Sequence, residues 1–430
     1  MTHSQEMTNE EMLRLLNELS KAFSPAAPVN TRDLFAGRLN EISRILNTIN
    51  SRGLHAIIFG ERGVGKTSLA NFAKLFLAND QGIVSMTNCN EGDTFESIWD
   101  RIFSGIVINR QYTPAGFTAE QLQIPASAIG LVKKPIDPGS VQGALSALSE
   151  SYHITIIIDE FDRIKDDDQK CRFADTIKWL SDISCNVTIV LVGVAHNVEH
   201  LIMNHNSVER ALVQIKMPRM NNLELAEIID KALRLQNVSM TIDPQAKDLI
   251  IYLSQGLPHY THLIGRDSAI ASVKRRSRHI ADIDVVGGIK SALQDKHESL
   301  GRAYQNAISS QRKDALFKHV LLACAVAEAD ELGYFATTDI RGPLNKITNK
   351  EYEIPNYSGH LVKFSNDESR GSVLERKGPT RRYRFRFRNP LLQPYVIMKG
   401  IDDGLIDKTL LESLLGIQPV PAREAQLFPT

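Results

Sequence analysis

The sequence predicts an α/β fold: a three-layer sandwich around a parallel sheet, followed by an all-helical module and a smaller module in which three helices precede a β-hairpin. Three observations support this prediction. Short apolar runs alternate with helical patterns in the first half, strand patterns vanish after residue 218, and two β-rich runs lie near the C-terminus. Apolar runs between helices are typical of buried parallel strands. The runs are 55–59, 82–86, 154–158 and 187–192.

The elements around these runs follow from helical spacing and from breakers. A first helix is predicted at 8–23, where apolar residues recur at helical spacing, and the prolines at 25 and 28 end it. The stretch 105–138 holds four prolines and is predicted as an insertion or a long loop. Between the strands we predict helices at 39–49, 68–78, 141–148 and 172–183.

Beyond Pro218 the predicted elements are helical until the last hundred residues. The β-rich runs 372–376 and 382–388 flank a Lys-Gly-Pro turn, and three helices before such a hairpin is the order of a winged helix. The all-helical module is predicted at 223–235, 244–253, 258–273 and 284–293. The helices before the hairpin are predicted at 316–327, near Ile340 and at 358–364.

Composition limits the class of protein. Lys plus Arg and Asp plus Glu both number 50, which argues against a general positive coat but allows a local basic face. The four cysteines form no CxxC pair, so we expect reduced, intracellular thiols rather than a metal site or a disulfide framework. The N-terminus lacks the pattern of a signal peptide, and no apolar run approaches the roughly 18 residues of a membrane helix. We therefore expect a cytoplasmic protein with no membrane partner.

Residues 60–67 match the GxxxxGK[ST] pattern of a phosphate-binding loop (P-loop), between a predicted strand and a predicted helix. Its glycines let backbone N–H groups curl around phosphates, and the helix N-terminus adds partial positive charge. In this pattern Lys66 reaches the β- and γ-phosphates of ATP and the Thr67 hydroxyl meets Mg²⁺. The predicted nucleotide-binding residues of the loop are Gly60, Glu61, Arg62, Gly63, Val64, Gly65, Lys66, Thr67 and Ser68.

Two carboxylates follow the apolar run 154–158 and complete the predicted ATP site. We predict that Asp159, with Thr67, holds the Mg²⁺ shell and that Glu160 polarises the attacking water. Asp162 and the acidic run 166–168 are interpreted as a solvated face rather than as further metal ligands.

Three positions farther along are candidates for sensing or completing the site. After the run 187–192, Asn197 or His196 can sense the γ-phosphate, and a simple loop residue is an equal alternative. Arg210 precedes the apolar run 211–217, where an arginine at the domain edge can reach a neighbouring subunit's γ-phosphate and speed hydrolysis. A surface salt bridge is the alternative for Arg210, and Arg219 is the second choice.

Gly256-Leu257-Pro258 opens the third helix of the all-helical module. Proline suits the first turn of any helix, so an ordinary structural explanation stands beside the functional one, in which this helix or Arg266 approaches nucleotide. Pro258 is therefore kept as a candidate nucleotide contact.

These motifs together resemble those of AAA+ ATPases. The resemblance rests on Phe-Ala-Gly-Arg at 35–38, the P-loop, Asp-Glu, the Ser-Val-x-x-Arg box ending at Arg210, and Gly-Leu-Pro. It is greatest to the initiator clade (origin-recognition-complex type) and the transposon target-selection ATPases, and the STAND signalling NTPases share Gly-Leu-Pro. The resemblance implies that 35–38 lies near the adenine and that Arg210 acts in trans. The initiator clade usually has a clear polar sensor after its fourth strand and a distinct arginine in the lid. Here the sensor is ambiguous and Arg266 is eight positions beyond Pro258, so we expect slow hydrolysis.

The resemblance covers about 31–300, and only the generic winged-helix pattern extends it to 301–400. We therefore predict five segments, in which the P-loop NTPase domain and its lid precede the winged helix. They are an N-terminal helix and linker (1–30), an AAA+ nucleotide-binding α/β domain (31–218), a helical lid (219–300), a winged-helix domain (301–400), and a C-terminal helix with a loose tail (401–430).

The second β-rich run is dense in arginines, with aromatic residues interleaved at the period of two that a strand needs. We expect the aromatics to pack on the helices and the arginines to face outward as a phosphate-binding wing for double-stranded DNA. The alternatives are pairing with acids such as Asp367, Glu368 and Glu375, contact with a partner protein, or a plain solvated face. The arginines are Arg382, Arg384, Arg386 and Arg388, and the basic run 274–278 is a candidate second contact.

The sequence thus predicts an ATP hydrolase that forms a homo-oligomer when ATP is bound and contacts DNA through a C-terminal winged helix. The rival hypothesis is a STAND-like signalling switch that regulates a partner effector protein, for example in defence against mobile elements. A small-molecule kinase is disfavoured because no substrate-binding element is visible beyond the P-loop.

Overall fold

The structure is a computed structural model that describes residues 7–25, 36–77, 82–112, 122–195, 208, 210–294, 298–310, 316–330, 332–379, 382–407, 410 and 413. The chain divides into two compact units. One unit comprises Met1–Pro25 and Ala232–Thr430, and the other comprises Ala26–Lys231. We call the second of these the P-loop unit and the first the terminal unit.

The helices and strands are numbered along the chain. The helices are α1 Asn9–Ala22, α2 Leu39–Ile49, α3 Lys66–Leu77, α4 Phe95–Gly105, α5 Pro138–Ser149, α6 Asp167–Asp182, α7 Asn222–Arg234, α8 Pro244–Ser254, α9 Pro258–Lys274, α10 Asp282–Gln294, α11 Glu298–Ile308, α12 Phe317–Val326, α13 Arg341–Thr348, α14 Ile354–Asn366 and α15 Leu392–Asp402. The strands are β1 His55–Gly60, β2 Gly82–Asn88, β3 Val107–Tyr112, β4 Leu122–Ser127, β5 His153–Asp159, β6 Val187–Val194, β7 Leu212–Met217, β8 Thr241–Ile242, β9 His279–Ile280, β10 Phe335–Ala336, β11 Leu374–Lys377 and β12 Arg384–Phe387.

A five-stranded parallel sheet in the order β2-β5-β6-β1-β7 forms the centre of the P-loop unit. All of β1 and nearly all of β5 and β6 are buried, which explains their continuous apolar runs. One face of the sheet packs on α4, α5 and α6 in a single apolar core, and α2 and α3 also contact the sheet. The predicted α/β architecture with a parallel sheet is confirmed.

The stretch 105–138 is not simply a loop. Within it, β3 and β4 form an antiparallel two-stranded ribbon, and a 3-10 turn, Ala128–Leu131, follows. Four prolines favoured an irregular segment, but both strands of a two-stranded ribbon are edges. An edge strand tolerates a proline, so Pro125 is compatible with β4, where it stands opposite Asn109.

In the terminal unit, α1 packs on α9. The Phe23 ring, just after α1, meets the His262 ring edge-on at 6.2 Å and fills the space beside Gly265. The module predicted as all-helical contains α8, α9 and α10 and, in addition, the short parallel pair of β8 with β9. Two residues per strand are too few to give a visible period in the sequence.

Farther along the terminal unit, β10, β12 and β11 form an antiparallel three-stranded sheet beside α12, α13 and α14. The predicted β-hairpin is therefore present as β11 and β12, whereas the two-residue β10 was not predicted, because two residues show no period. The four cysteines, all of them among the described residues, form no disulfide. In the described part of the chain, no helix combines the length and the apolar character needed to cross a membrane.

Candidate functional site

The site lies where the parallel strands of the P-loop unit end. Gly60 at the end of β1 pairs with Val194 of β6 and with Met217 of β7, so three strands finish at the same level. Asp159 ends β5, which is separated from β1 by β6 alone. The carboxyl edge of a parallel sheet is where α/β folds bind ligands, and the predicted P-loop and acids meet here.

The P-loop occupies the turn between β1 and α3. Gly63 and Gly65 adopt φ angles of 88° and 96°, which side chains with a Cβ rarely adopt. Val64 is fully buried and anchors the loop, while Thr67 is half-buried in the first turn of α3. Backbone N–H groups at such a helix start form an anion site, because they have no partner inside the helix.

Lys66 is buried, with 8% of its surface exposed, and its amine is held by the loop itself. Nζ donates to the carbonyl oxygens of Gly60 at 3.1 Å and Glu61 at 2.7 Å. Burial lowers the pKa of Lys66 to about 8, although the neighbouring carboxylates of Asp162 and Asp159 act in the opposite direction. The two carbonyl oxygens therefore hold the Lys66 ammonium at the phosphate site, although burial removes it from water and disfavours its charged form.

This pKa predicts how nucleotide affinity depends on pH. Bound phosphate favours the charged amine, so ATP affinity should fall as pH rises above about 8, approaching roughly tenfold per pH unit. The free energy of unfolding of the nucleotide-free chain should instead rise between pH 8 and 10.5. In this range Lys66 is less protonated in the folded chain than in the unfolded chain. Equilibrium ATP binding measured across this range tests the first expectation, and Lys66→Arg should flatten the profile, since arginine stays charged.

Asp159 is buried, and its two carboxylate oxygens differ. Oδ1 accepts the N–H of Glu160 at 2.7 Å, whereas Oδ2 is buried with no hydrogen-bond partner among the described residues. A buried carboxylate oxygen without a partner is costly, and a cation would remove that cost. The residues thus fit Mg²⁺, which Asp159 and the Thr67 hydroxyl would hold and which would neutralise charge on the phosphates.

Glu160 presents its carboxylate beside this acid. Its backbone takes φ = 55° in the left-handed region, a strained conformation of the kind found at functional sites. Arg163 Nε lies 2.9 Å from Oε2 and Nη2 donates to Oε1 at 3.3 Å, so a bidentate pair orients a half-exposed carboxylate. The orientation leaves Glu160 accessible to water, which its predicted role requires.

Asp162 has a role that the sequence interpretation missed. Its Oδ1 accepts the N–H of Val194 at 2.7 Å, so the turn after β5 is tied to the end of β6. A solvated acidic face does not describe this residue. The only sequence signal was its position three residues after Asp159, at the carboxyl end of a strand.

Arg38 is a second residue whose contacts the sequence did not predict. It is almost fully buried, and its Nη2 donates to the carbonyl oxygens of Val64 in the P-loop at 3.2 Å and of Pro218 after β7 at 2.5 Å. Glu224 Oε1 accepts its backbone N–H at 3.1 Å. Arg38 therefore braces the P-loop against the segment that follows β7.

The remaining predicted residues fall into three groups. Asn197 and His196 lie outside the described residues. Arg210 is exposed two residues before the start of β7, whereas Arg219, the second candidate, pairs with Glu61 of its own P-loop at 2.9 Å. Pro258 begins α9 in the terminal unit, where its role as a nucleotide contact stays a prediction. The structure thus brings together the P-loop, Asp159 and Glu160.

The arginines of β12 do not all face outward. Arg386 is buried and pairs with Glu375 at 2.5 Å, with its guanidinium 4.5 Å above the Tyr334 ring. Arg384 pairs with Asp330 at 2.9 Å. The prediction of a free row of arginines was wrong for Arg386, because Glu375 stands directly opposite it in the β11–β12 register.

Arg388 and Arg382 at the two ends of the row stay exposed. Arg388 Nε donates to the Ser372 carbonyl oxygen at 3.0 Å, and Arg382 stands at the hairpin turn. Of the interleaved aromatics, Phe385 and Phe387 are buried and Tyr383 is half-buried, while their packing on the helices stays a prediction.

The basic run 274–278 also serves the fold. Arg275 forms a bidentate pair with Asp284 at 2.6 Å, and Arg278 donates to the Val238 carbonyl oxygen at 3.0 Å. Arg276 bonds the Met7 carbonyl oxygen and Asn9 Oδ1 and so holds the start of α1. These contacts favour a structural role over the predicted second DNA contact.

Comparison with known proteins agrees with the geometry of the site. Residues 49–202 match a family model described as an AAA domain, which includes the P-loop, Asp159 and Glu160. No curated protein sequence matches the chain significantly.

Among solved structures, the Walker-type ATPase PABY2304 of Pyrococcus abyssi is 15% identical, with 86% of this chain and 98% of that chain covered and a TM-score of 0.50. The Aeropyrum pernix ORC2 protein, in ADPNP–ADP complexes, is 15% identical over 89% of this chain and 98% of its own, with a TM-score of 0.45. The Aeropyrum pernix ORC1 protein, in complex with DNA, is 13% identical over 90% and 96%, also with a TM-score of 0.45.

The Pyrococcus abyssi comparison shows a shared fold, and the family match covers the segment that carries the loop and the acids. A loop with a buried lysine, a buried carboxylate beside it and an oriented second carboxylate are parts that phosphoryl transfer requires. The chain is therefore a P-loop ATPase that carries an AAA domain.

Proposed function

We propose that ATP drives this chain to assemble into a homo-oligomer that associates with double-stranded DNA, and that slow hydrolysis releases it. The observation that carries the proposal is the position of Arg210. It is exposed two residues before the start of β7, the edge strand of the sheet, whereas the P-loop follows the other end of the neighbouring β1.

The length of β7 separates Arg210 from its own phosphate site. Six residues of strand span roughly 20 Å, which is more than an arginine side chain can bridge. A catalytic role for Arg210 thus requires the P-loop of a second subunit, with Arg210 completing it in trans. Arg210 is exposed, and no acid pairs with it among the described residues.

The proposed DNA contact is the tip of the β11–β12 hairpin. The order α12, β10, α13, α14, β11, β12 and the three-stranded antiparallel sheet support a winged helix, in which this hairpin is the wing. Lys377 and Arg382 are exposed on either side of the turn, and Gly378, at φ = 101°, allows the turn to close. By contrast, α14 carries a single lysine, Lys363, and no arginine. Phosphate contact therefore belongs to the wing tip.

We predict that the double variant Lys377→Ala/Arg382→Ala weakens DNA binding and lowers the log–log salt slope by about 1.8, since each phosphate contact contributes about 0.9. Fluorescence anisotropy with a duplex, with ATP, ADP or no nucleotide and at several salt concentrations, measures both quantities. Wild-type binding should be strongest with ATP and should be lost in Lys66→Ala.

Arg384→Ala is the matched control, because its guanidinium already pairs with Asp330 and should contribute less to the slope. Equal losses in the two variants would contradict the assignment to the tip. If no nucleotide state binds DNA while ATP still changes the oligomer mass in light scattering, the DNA proposal fails. The STAND-like switch with a protein effector would then take its place.

A further inference from the structure

The P-loop contains an acid, Glu61, at its second position. A carboxylate there repels the negatively charged phosphates of ATP. The Glu61 carboxylate has only 11% of its side-chain surface exposed, and Oε2 lies 2.9 Å from Nε of Arg219. Arg219 is itself mostly buried, at 22% exposed, and stands two residues after the end of β7. An ion pair shielded from solvent in this way is screened weakly by salt.

An uncompensated carboxylate at this position would oppose ATP binding. The loop must accept an anion with several negative charges, and the interaction between charges is large where little water intervenes. The Glu61 carbonyl oxygen also accepts a hydrogen bond from Lys66 Nζ at 2.7 Å, so a shift of Glu61 would move the phosphate-binding amine as well.

We propose that Arg219 is a positioning residue that neutralises Glu61 and fixes the P-loop against the exit of β7, so that the loop accepts a triphosphate. Its guanidinium acts through Glu61 within one subunit, rather than on the phosphates of a neighbour. The inference rests on ATP binding by this chain and is independent of the proposed DNA contact.

The contacts around the pair agree with this role. Arg38 joins Val64 of the loop to Pro218, the residue directly before Arg219. Gly60 pairs with Met217 at the end of β7. Three links therefore connect the P-loop with residues 217–219, and Arg219–Glu61 is the one that also balances charge.

The test separates charge compensation from direct phosphate contact. Arg219→Ala should raise the Kd for ATP by at least about tenfold, and the Kd for ADP by less, because ADP carries less charge. The double variant Glu61→Gln/Arg219→Ala should recover most of the lost ATP affinity, since it has no carboxylate to compensate. Equilibrium binding of fluorescent ATP and ADP gives these values, and thermal unfolding without nucleotide checks that each variant folds.

Lys216→Ala is the charge-matched control, because it removes one exposed cation from β7 itself and should change ATP affinity by less than about twofold. If the double variant binds ATP as weakly as Arg219→Ala, Arg219 contacts nucleotide directly and the proposal is overturned. Unchanged ATP affinity in Arg219→Ala would overturn it too. A wild-type chain that binds no ATP would instead contradict the ATPase assignment on which the inference rests.

Discussion

Glu160→Gln should leave ATP binding intact and lower kcat by on the order of 10²–10⁴-fold, the range of a lost general base. An amide accepts no proton from the attacking water, whereas the Glu160 carboxylate is oriented by Arg163 at 2.9 Å. The fold should survive, because the side chain is half-exposed and the strain lies in the backbone. Single-turnover hydrolysis and equilibrium ATP binding on the same preparation separate chemistry from affinity.

Asp162→Asn is the comparison variant, since Asp162 lies two residues away but uses Oδ1 to accept the Val194 N–H. Its amide oxygen can keep that bond, so hydrolysis should change much less than in Glu160→Gln. A Glu160 variant that hydrolyses ATP within about threefold of the wild-type rate would contradict the assigned role.

The P-loop and its strands could be predicted because their signals are local. A fully buried strand leaves a continuous apolar run, and the loop motif requires glycines at fixed offsets. The predicted helix 39–49 has the same first and last residues as α2. Its apolar residues recur at helical spacing within a short stretch of sequence, so the signal is local.

The partners of charged residues could not be predicted in the same way. Four arginines alternate over residues 382–388, yet Arg386 is buried against Glu375 while Arg382 stays exposed. The difference arises from the register of β11 on β12 and from the position of Tyr334, which no local period encodes. Arg38 illustrates the same limit, since its two carbonyl partners lie 26 and 180 residues away along the chain.

The largest effect on hydrolysis outside the acids is expected for Arg210. Arg210→Ala should lower kcat by on the order of 10³-fold, the contribution of an arginine supplied in trans, while ATP affinity changes little. The physical reason is its position at the start of β7, roughly 20 Å of strand from its own P-loop. ATP turnover should also rise more steeply than linearly with protein concentration, because each active site needs two subunits.

Mixing two inactive variants tests this in the sharpest way. Arg210→Ala subunits keep an intact Glu160, and Glu160→Gln subunits keep an intact Arg210, so a mixed interface contains one complete site. Hydrolysis should therefore reappear when the two are combined, and should not reappear when either is mixed with Lys66→Ala/Arg210→Ala. If mixing restores nothing although the variants form mixed oligomers in light scattering, Arg210 does not act across the interface. A surface salt bridge, the alternative role for Arg210, would then be favoured.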